Sequence, residues 1–514
     1  MLKHEMAVPG GGTAHFTVFY IRHKGLQNIH QVGSEARYNR GCVLRLSIER
    51  EIEISGGPGS IAHWQACGLE KMELTIPPTV YPPREDTTLL DKVLAGLGSG
   101  HGRRLLEIGC GSGAISIASA LRGWEVYACD INPLSVAAAR GNCKKFGVEL
   151  DSQICEGGPG DAEGWIPEDG VDIIAWNLPY VEFEGGPKLG PLEDSALIDQ
   201  GESIKLLESI TKNPKMLNRG GVVLLLHSSN KFGRDLTMLW RKAGWATRNV
   251  DSCNLGDEKL TVVACWKPFE GAEIIRLESC ESTNDEIFKM NGGAQGNLVI
   301  AKKQNSGRGH HDRTWEDSEG GFMGSWNIHS NSIERGPWNI QMSGFISVLD
   351  AFSAIQNIGL PSHSWANCGE ILHRGMRVKW PNDLWLRNRD DFGKLCGVIA
   401  ESRSQGENMQ IVLGIGINRF QTPSVKHSIG WNEFSNHTVD EMVPIIHASV
   451  ASLFEEHPLV PGMPEEDVLS ISFCAMRMTF GEAAPQAFGL DSKGGLMLKE
   501  KTVRHTDEIV WKWV

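Results

Sequence analysis

The chain has 514 residues and a formal net charge of -13 at pH 7. It is too long for one hydrophobic core, so two or three domains are expected. The acidic balance argues against a surface that wraps nucleic acid, because phosphate contacts need clustered lysine and arginine. Hydrophobic residues make up 41% and charged residues 22%, which is typical of a soluble globular protein.

The 12 cysteines are scattered, with no Cys-x-x-Cys pair and no metal-ligand spacing. This pattern indicates reduced thiols rather than a disulfide framework, and no protein metal site is expected. No apolar run approaches the roughly 18 residues of a membrane helix. The first residues, MLKHEMAVPGGGTAHF, lack the apolar core of a signal peptide. We therefore expect a cytoplasmic protein.

Residues 1–75 alternate short β-like runs with Gly-rich breaks and predict a β-rich segment of unassigned role. Over residues 76–269, strands such as RRLLEIG, WEVYACD and DGVDIIAWN alternate with helices. Asn132, Pro133 and Gly147 predict the N-cap, first position and C-terminal stop of one helix. The alternation predicts a doubly wound α/β sheet with mostly parallel strands.

A second α/β block is predicted over residues 273–461, after a boundary near KPFEGAE. Residues 462–514 are predicted to form a small β domain, with MRMTFGEAAPQAFGLDSKGGLMLKE interpreted as short strands separated by glycines. The expected architecture is therefore α/β in both large domains, with a β-rich segment at each end.

Four segments of the second half carry chemistry together: Glu281-Ser282-Thr283-Asn284, AKKQNSGRGHHDRTW, VKWPNDLW, and GKLCGVIAE with LGIGIN. Each alone is ambiguous, since WPND could be a turn, GIGIN a buried strand and GRGHH a solvated loop. In this order and spacing they resemble biotin protein ligases. Nothing before Glu273 reads as the helix-turn-helix of the repressor members of that family. The segment FGLDSKGGLML resembles the family's small SH3-like domain.

This resemblance implies that biotin is activated with ATP and Mg²⁺ as biotinyl-adenylate and passed to a lysine of a biotin carboxyl carrier protein. Lys379 and Arg308 would be catalytic, because fixed positive charges offset the negative charge where the biotin carboxylate meets the α-phosphate. Further biotin and adenylate contacts are expected from residues of the same segments: Ser282, Thr283, Asn284, Gln304, Gly307, Gly309, Trp315, Asn382, Asp383, Lys394 and Gly397.

The loop departs from the family pattern GRGRxGR, since it reads GRGHHDR. His310 replaces an arginine and is mostly uncharged near neutral pH, and Asp312 adds a negative charge near the anionic adenylate. We predict faster escape of the adenylate than from ligases with GRGRxGR. A His–Asp pair that holds the loop shut is the alternative.

In the first half, LEIGCGSGA follows a strand and opens a helix. Gly109, Gly111 and Gly113 permit close approach of a ligand, and Asp130 ends the next strand, where it could accept from ribose hydroxyls. The spacing also fits the dinucleotide pattern, so it leaves a nicotinamide cofactor open. Asn177-Leu178-Pro179-Tyr180 ends a further strand. It resembles the (N/D)PPY motif of S-adenosylmethionine-dependent methyltransferases that act on planar amino groups.

Upstream, VYPPREDT at residues 80–87 resembles the YxPxEDT segment of protein glutamine methyltransferases that modify translation release factors. The resemblance implies that Asn177 and the Pro179 carbonyl accept the two N–H groups of the acceptor and that Tyr180 stacks on its plane. Leu178 stands where the family has a first proline. An adenine or cytosine amino group remains an alternative acceptor, and a non-catalytic scaffold that docks the ligase to its carrier is the alternative to an enzyme. The implied cofactor residues are Glu85, Asp86, Thr87, Glu107, Gly109, Gly111, Gly113 and Asp130.

Overall fold

The computed structural model contains two compact units, Met1–Gly233 with Asn249–Ala264 and Arg234–Arg248 with Cys265–Val514. It describes residues 2–8, 12–19, 31–34 and 57–508, apart from residues 162, 180–201, 229–230, 257, 291–292, 310–314, 317, 329–335, 365–366, 389–390, 406–407, 423, 426, 481–486 and 505–507.

Short antiparallel strands open the first unit. Three of them pair in chain order: β1 (Leu2–Val8), β2 (Gly12–Phe19) and β3 (Gln31–Ser34). Two more form a separate hairpin: β4 (Ser60–Gln65) and β5 (Lys71–Ile76). In β5 buried and exposed residues alternate, as expected of a strand with one solvated face.

A seven-stranded sheet follows, built from β6 (Arg104–Ile108), β7 (Glu125–Asp130), β8 (Ile154–Glu156), β9 (Val171–Asn177), β10 (Leu217–Ser228), β11 (Ala246–Leu255) and β12 (Glu258–Trp266). Its order is β11-β12-β10-β9-β6-β7-β8, and the five strands from β10 to β8 are parallel. The carboxyl ends of β6, β7 and β9 therefore meet at one edge, where ligands bind in such sheets. The predicted parallel α/β sheet is confirmed for these strands.

Four described helices belong to this unit: α1 (Glu85–Gly96), α2 (Ala114–Leu121), α3 (Pro133–Lys145) and α4 (Glu202–Lys212). The next helix, α5 (Lys231–Lys242), lies mostly in the second unit. Helix α3 begins as predicted, because the Asn132 side chain accepts a hydrogen bond from the backbone N–H of Leu134 at 3.0 Å. Gly147 has a φ of 68° shortly after the helix ends, a conformation that glycine adopts without steric cost.

The second unit contains another seven-stranded sheet, in the order β13-β14-β15-β19-β18-β17-β16. Its pairs are antiparallel except for β13 and β14, so this sheet is mixed. The strands are β13 (Ile274–Leu277), β14 (Leu298–Ala301), β15 (Phe322–Ile328), β16 (Met376–Lys379), β17 (Asp383–Asn388), β18 (Asp391–Gln405) and β19 (Asn408–Ile417). The helices are α6 (Thr283–Lys289), α7 (Gly336–Ile355), α8 (Asn367–His373), α9 (Val439–Phe454) and α10 (Glu465–Phe480).

A fully buried ion pair lies inside the second unit, between Arg241 and Asp350. Arg241 Nη1 lies 3.3 Å from Asp350 Oδ2 and donates to Ser449 Oγ at 2.7 Å, and its Nη2 donates to Ser452 Oγ at 2.6 Å. Both charged side chains are 0% exposed. A buried charge is tolerated only when it is paired and hydrogen-bonded, which this arrangement provides.

The C-terminal region differs from the sequence prediction at its start. Residues 476–480 were predicted to be a strand, but they are the last turn of helix α10. Three acidic residues in the first turn stabilise the helix N-terminus, and Val468, Ile471 and Ala475 are buried at helical spacing. Beyond it, a three-stranded antiparallel sheet is formed by β20 (Ala487–Leu490), β21 (Leu496–Leu498) and β22 (Thr502–Val503).

Within the part of the chain that the structure describes, every helix is too short or too polar to span a lipid bilayer.

Candidate active sites

A cavity of about 160 Å³ in the second unit gathers the residues that the sequence assigns to a ligase. Every one of those residues lines it except Gly307. The lining consists of Ser282, Thr283, Asn284, Gln304, Arg308, Gly309, Trp315, Trp338, Lys379, Pro381, Asn382, Asp383, Lys394, Gly397, Val398, Ile399, Gly414, Ile415 and Gly416. Segments separated by more than a hundred residues therefore meet around one volume.

Polar side chains at one end of the cavity are held by a hydrogen-bond network. The backbone N–H of Thr283 donates to Gln304 Oε1 at 2.8 Å, and Thr283 Oγ1 lies 2.7 Å from Ser325 Oγ. Ser325 Oγ in turn donates to Asn284 Oδ1 at 2.5 Å, and Asn284 Nδ2 donates to Glu401 Oε2 at 2.5 Å. A hydrogen-bond network of this kind keeps its members in one orientation, as recognition of a small planar polar group requires.

Trp315 packs on glycines at another wall of the cavity. A Cβ atom on Gly416 would lie 2.6 Å from the indole Cε2, and one on Gly397 would lie 3.0 Å from Cζ3. Only glycine leaves room for the ring at Gly416, because real Cβ contacts are not that short. The backbone N–H of Trp315 donates to the Gly307 carbonyl at 2.8 Å. Gly307 thus closes the base of the loop without lining the cavity.

Cationic side chains line the cavity. Arg308, Lys379 and Lys394 bring three of them to its wall, whereas Asp383 is the acidic residue among the described lining residues. Lys394 Nζ lies 2.8 Å from Asp383 Oδ1, and Arg308 Nη2 lies within 3.2 Å of carboxylate oxygens of Asp285 and Glu401, outside the lining. Lys379 Nζ lies 5.7 Å from the centre of the Trp385 ring. The wall thus offers cationic groups to phosphates and carboxylates, although two of the three are paired with carboxylates.

Asn382 stabilises the backbone as well as lining the cavity. Its Nδ2 donates to the Val398 carbonyl at 2.7 Å, and the Val398 N–H donates back to the Asn382 carbonyl at 3.0 Å. Among the described residues, no three His, Cys, Asp or Glu side chains cluster as metal ligands. Asp383 is the one carboxylate among the described residues that line this cavity.

Sequence reasoning missed several residues of this site. Ser325 lies on β15 and carried no motif, and Trp338 lies on α7, outside the four segments. Glu401 ends the segment GKLCGVIAE, and Gly414 and Gly416 alternate in LGIGIN. The alternation of glycines along one face of a strand was a signal for close approach of another group, and it could have identified both glycines.

A second cavity, of about 60 Å³, lies at the carboxyl edge of the sheet in the first unit. The expected residues Thr87, Glu107, Gly109, Gly111 and Asn177 line it. The other lining residues are Tyr81, Pro83, Leu90, Cys110, Ser112, Ala114 and Ile115. The glycine loop and the end of β9 therefore share one cavity.

Asp130 and Gly113, two further expected cofactor residues, belong to the surroundings of the glycine loop, whereas Glu85 is outside the lining. Asp130 accepts hydrogen bonds from the N–H groups of Gly111 at 2.9 Å and Asn132 at 2.8 Å, and thereby holds the loop. Gly113 has a φ of 81°, and a Cβ there would lie 3.0 Å from Ala139. Glu85 is exposed in the first turn of α1. Only a residue without a side chain allows the close packing at Gly113.

The Glu107 carboxyl is buried beneath the glycine loop. Burial raises the pKa of Glu107 to about 8, against the lowering effect of a hydrogen bond from the Ser116 hydroxyl. Burial likewise raises the pKa of Asp130, although hydrogen bonds from Asn132 and Gly111 act in the opposite direction. Both acids lie in a water-poor environment, where shifted pKa values often mark ligand sites.

The nitrogen and the oxygen of the Asn177 side-chain amide have different surroundings. Its Nδ2 donates to Asp86 Oδ2 at 2.9 Å, whereas its Oδ1 is buried without a hydrogen-bond partner among the described residues. Leu178, at the position of the family's first proline, has an N–H that donates to the Leu226 carbonyl at 3.0 Å. This bond continues the pairing of β9 with β10 by one residue. Tyr180 lies outside the described residues, as do His310, His311 and Asp312.

Comparison with known proteins matches each unit to a family. Residues 274–418 match the biotin/lipoate A/B protein ligase family, and residues 88–178 match the ribosomal protein L11 methyltransferase model. A Methanocaldococcus jannaschii protein named as an N5-glutamine methyltransferase is 29% identical over 204 residues, which are 39% of this chain and 98% of that protein. The release factor glutamine methyltransferase of Bordetella pertussis is 30% identical over 204 residues, 38% of this chain and 70% of that protein.

The biotin–[acetyl-CoA-carboxylase] ligase of Paracoccus denitrificans is 31% identical over 149 residues, which are 29% of this chain. The match spans about half of that ligase, 55% of its length. Each unit thus has a cavity of its own and relatives of its own. Together they define an enzyme with two catalytic units, a ligase and a methyltransferase. The chain belongs to the release factor glutamine methyltransferase family and is a fusion of such a domain with a biotin protein ligase domain.

Proposed function

We propose that the second unit joins biotin to a lysine of a biotin carboxyl carrier protein through biotinyl-adenylate. The single observation that carries this proposal is the cavity that brings the four ligase segments together around three cationic side chains. The relative from Paracoccus denitrificans is named for this reaction on acetyl-CoA carboxylase. Three-stranded β20-β21-β22 would then belong to the SH3-like domain of the ligase family.

Each group of cavity residues would have its own chemical role. The network around Thr283, Asn284 and Gln304 would hold the ureido ring, because it offers fixed donors and acceptors. Lys379 and Arg308 would stabilise negative charge as the biotin carboxylate oxygen attacks the α-phosphate and pyrophosphate leaves. A Mg²⁺ held by Asp383 and the phosphates would neutralise part of the phosphate charge. The carrier lysine then attacks the carbonyl of the adenylate and releases AMP.

We further propose that the first unit transfers a methyl group from S-adenosylmethionine to a glutamine side chain of a translation release factor. The observation that carries this is the buried, unpaired Oδ1 of Asn177 beside the glycine loop. An acceptor without a partner is costly inside a protein, so a donor from the substrate is the expected partner. A primary amide supplies such an N–H donor.

In this reaction the amide nitrogen forms a bond to the methyl carbon while the sulfur–carbon bond breaks and one N–H proton leaves. Asn177 and the Pro179 carbonyl would accept the two amide N–H groups and orient the nitrogen. Glu107, Asp130 and the glycine loop would hold the cofactor. The methyltransferase relatives are named for glutamine or for ribosomal protein L11, which supports a protein acceptor over a nucleic acid base.

The test uses the full chain with two labels in separate reactions. Biotin-dependent exchange of pyrophosphate into ATP, followed by label transfer to a carrier domain, would support the ligase. Methyl label from S-adenosylmethionine recovered on a release factor would support the methyltransferase. A chain that binds NADH more tightly than S-adenosylmethionine would contradict the second proposal, and a chain without biotin-dependent exchange would contradict the first.

A further inference from the structure

The Glu401 carboxylate contacts two parts of the ligase site: the segment Ser282–Asn284 at one end of the cavity, and Arg308 in the Gly-rich loop. Its Oε2 accepts a hydrogen bond from Asn284 Nδ2 at 2.5 Å and lies 3.2 Å from Arg308 Nη2. Asn284 belongs to the segment expected to bind the ureido ring, and Arg308 belongs to the loop expected to contact the phosphate. One oxygen atom therefore joins two parts of the site that are 24 residues apart in sequence.

From Ser325 to Glu401 the donors in this network point the same way. Ser325 has one hydroxyl hydrogen, and it is used on Asn284 Oδ1 at 2.5 Å. The single hydroxyl hydrogen of Thr283 can point to Ser325 Oγ at 2.7 Å or to Gln304 Oε1 at 3.1 Å. Asn284 keeps its nitrogen toward Glu401, because the reverse orientation would place its oxygen against a carboxylate. The chain of donors thus runs from Ser325 through Asn284 to Glu401.

A second carboxylate holds Arg308 without belonging to the cavity wall. Asp285 Oδ1 lies 2.9 Å from Arg308 Nη2 and 2.6 Å from Arg403 Nη2. Burial alone would raise the pKa of Asp285, but hydrogen bonds from Arg308 and Arg403 outweigh it and lower the pKa. Arg308 is therefore anchored by two acids: Asp285, which follows Asn284 in the chain, and Glu401, whose carboxylate accepts a hydrogen bond from the Asn284 side chain.

We propose that Glu401 is a positioning residue that couples the segment Ser282–Asn284 to Arg308. A ureido group bound at this segment would stabilise the orientation of Asn284. Because Glu401 contacts both Asn284 and Arg308, it would then hold the Arg308 guanidinium in the position where it contacts the phosphate. Hydrogen bonds to an ionised group are roughly twice as strong as neutral ones, which makes the carboxylate suited to this role. The inference rests on the proposed ligase function.

Three near-isosteric variants of the full chain separate the contacts. Biotin affinity is measured by calorimetry, and release of biotinyl-adenylate by rapid filtration. Glu401→Gln should weaken biotin binding and speed adenylate release, each by about tenfold, as loss of one charge-assisted hydrogen bond implies. Asp285→Asn should speed release alone, and Ser325→Ala should weaken biotin binding alone.

The coupling is overturned if Glu401→Gln changes neither constant, or only one of them, by more than about twofold. It is also overturned if Asp285→Asn or Ser325→Ala changes both constants as much as Glu401→Gln does, because a general structural loss would produce that result. A wild-type chain that binds no biotin overturns the proposed ligase function and this inference with it. If the wild-type chain binds biotin and Glu401→Gln changes neither biotin affinity nor adenylate release, the inference alone is overturned and the proposed ligase function stands.

Discussion

Asp86 accepts a hydrogen bond from the side-chain amide nitrogen of Asn177 at 2.9 Å, across a sequence separation of 91 residues. A carboxylate only accepts, so this contact forces the amide nitrogen toward Asp86 and leaves the oxygen at the cavity. Asp86 therefore orients the group that would receive the methyl acceptor.

Asn177→Ala should abolish methyl transfer while S-adenosylmethionine still binds, because Asp130 and the glycine loop remain. Asp86→Asn should lower the rate by about tenfold to a hundredfold, since the Asn177 amide could then turn over. Cofactor affinity by calorimetry and methyl transfer at saturating cofactor separate the two effects. Full activity in Asn177→Ala, or loss of cofactor binding in it, would contradict the assignment.

Lys379→Ala should lower biotin-dependent pyrophosphate exchange by about 10²–10³, as removal of one electrostatic group at a developing charge typically does. Lys303→Ala is the matched control, because Lys303 is exposed in the same unit and does not line the cavity. Exchange rates are measured with both variants at equal biotin occupancy. Exchange in Lys379→Ala within about threefold of the control would refute this role.

Glu107 should make the first unit less stable as the pH rises. In the folded chain its pKa is raised from 4.5 to about 8. Between these two pH values the unfolded chain therefore binds fewer protons than the folded chain. The free energy of unfolding then falls with pH in that window, by at most about 1.4 kcal/mol per unit. Glu107→Gln should flatten this part of the profile. Urea unfolding across the window measures it, and parallel profiles for both chains would disprove the expectation.

Asp350→Asn should destabilise the second unit by about 3–5 kcal/mol, because Arg241 would be left as a buried charge without its partner. Asparagine keeps an oxygen for the Ser362 N–H, which donates to Asp350 Oδ1 at 3.0 Å. Asp440→Asn is the control, since its ion pair with Arg276 is exposed and should cost less than about 1 kcal/mol. Equal unfolding free energies for the two variants would contradict the prediction.

The sequence by itself determined the local elements and the motifs that both cavities contain. Asn132 caps helix α3, and β6, β7 and β9 form where apolar runs predicted them. These features depend on neighbours in sequence, whose caps and periodicity are readable. The strand prediction was wrong at residues 476–480, which are helical. It relied on the glycines that follow and did not take into account that the preceding buried residues are spaced as in a helix.

Only the tertiary structure decided which partner each functional group has. Asp86, which the sequence predicts as a cofactor residue, accepts a hydrogen bond from Asn177 in the folded chain. Ser325 lies outside the four ligase segments, and Glu401 ends one of them without having been predicted as a site residue. Both contact Asn284, and Glu401 also contacts Arg308. The order of strands in a sheet brings such residues together from distant segments, and that order depends on the packing of the whole core rather than on any local pattern. The raised pKa of Glu107 has the same origin, because burial is a property of the folded chain.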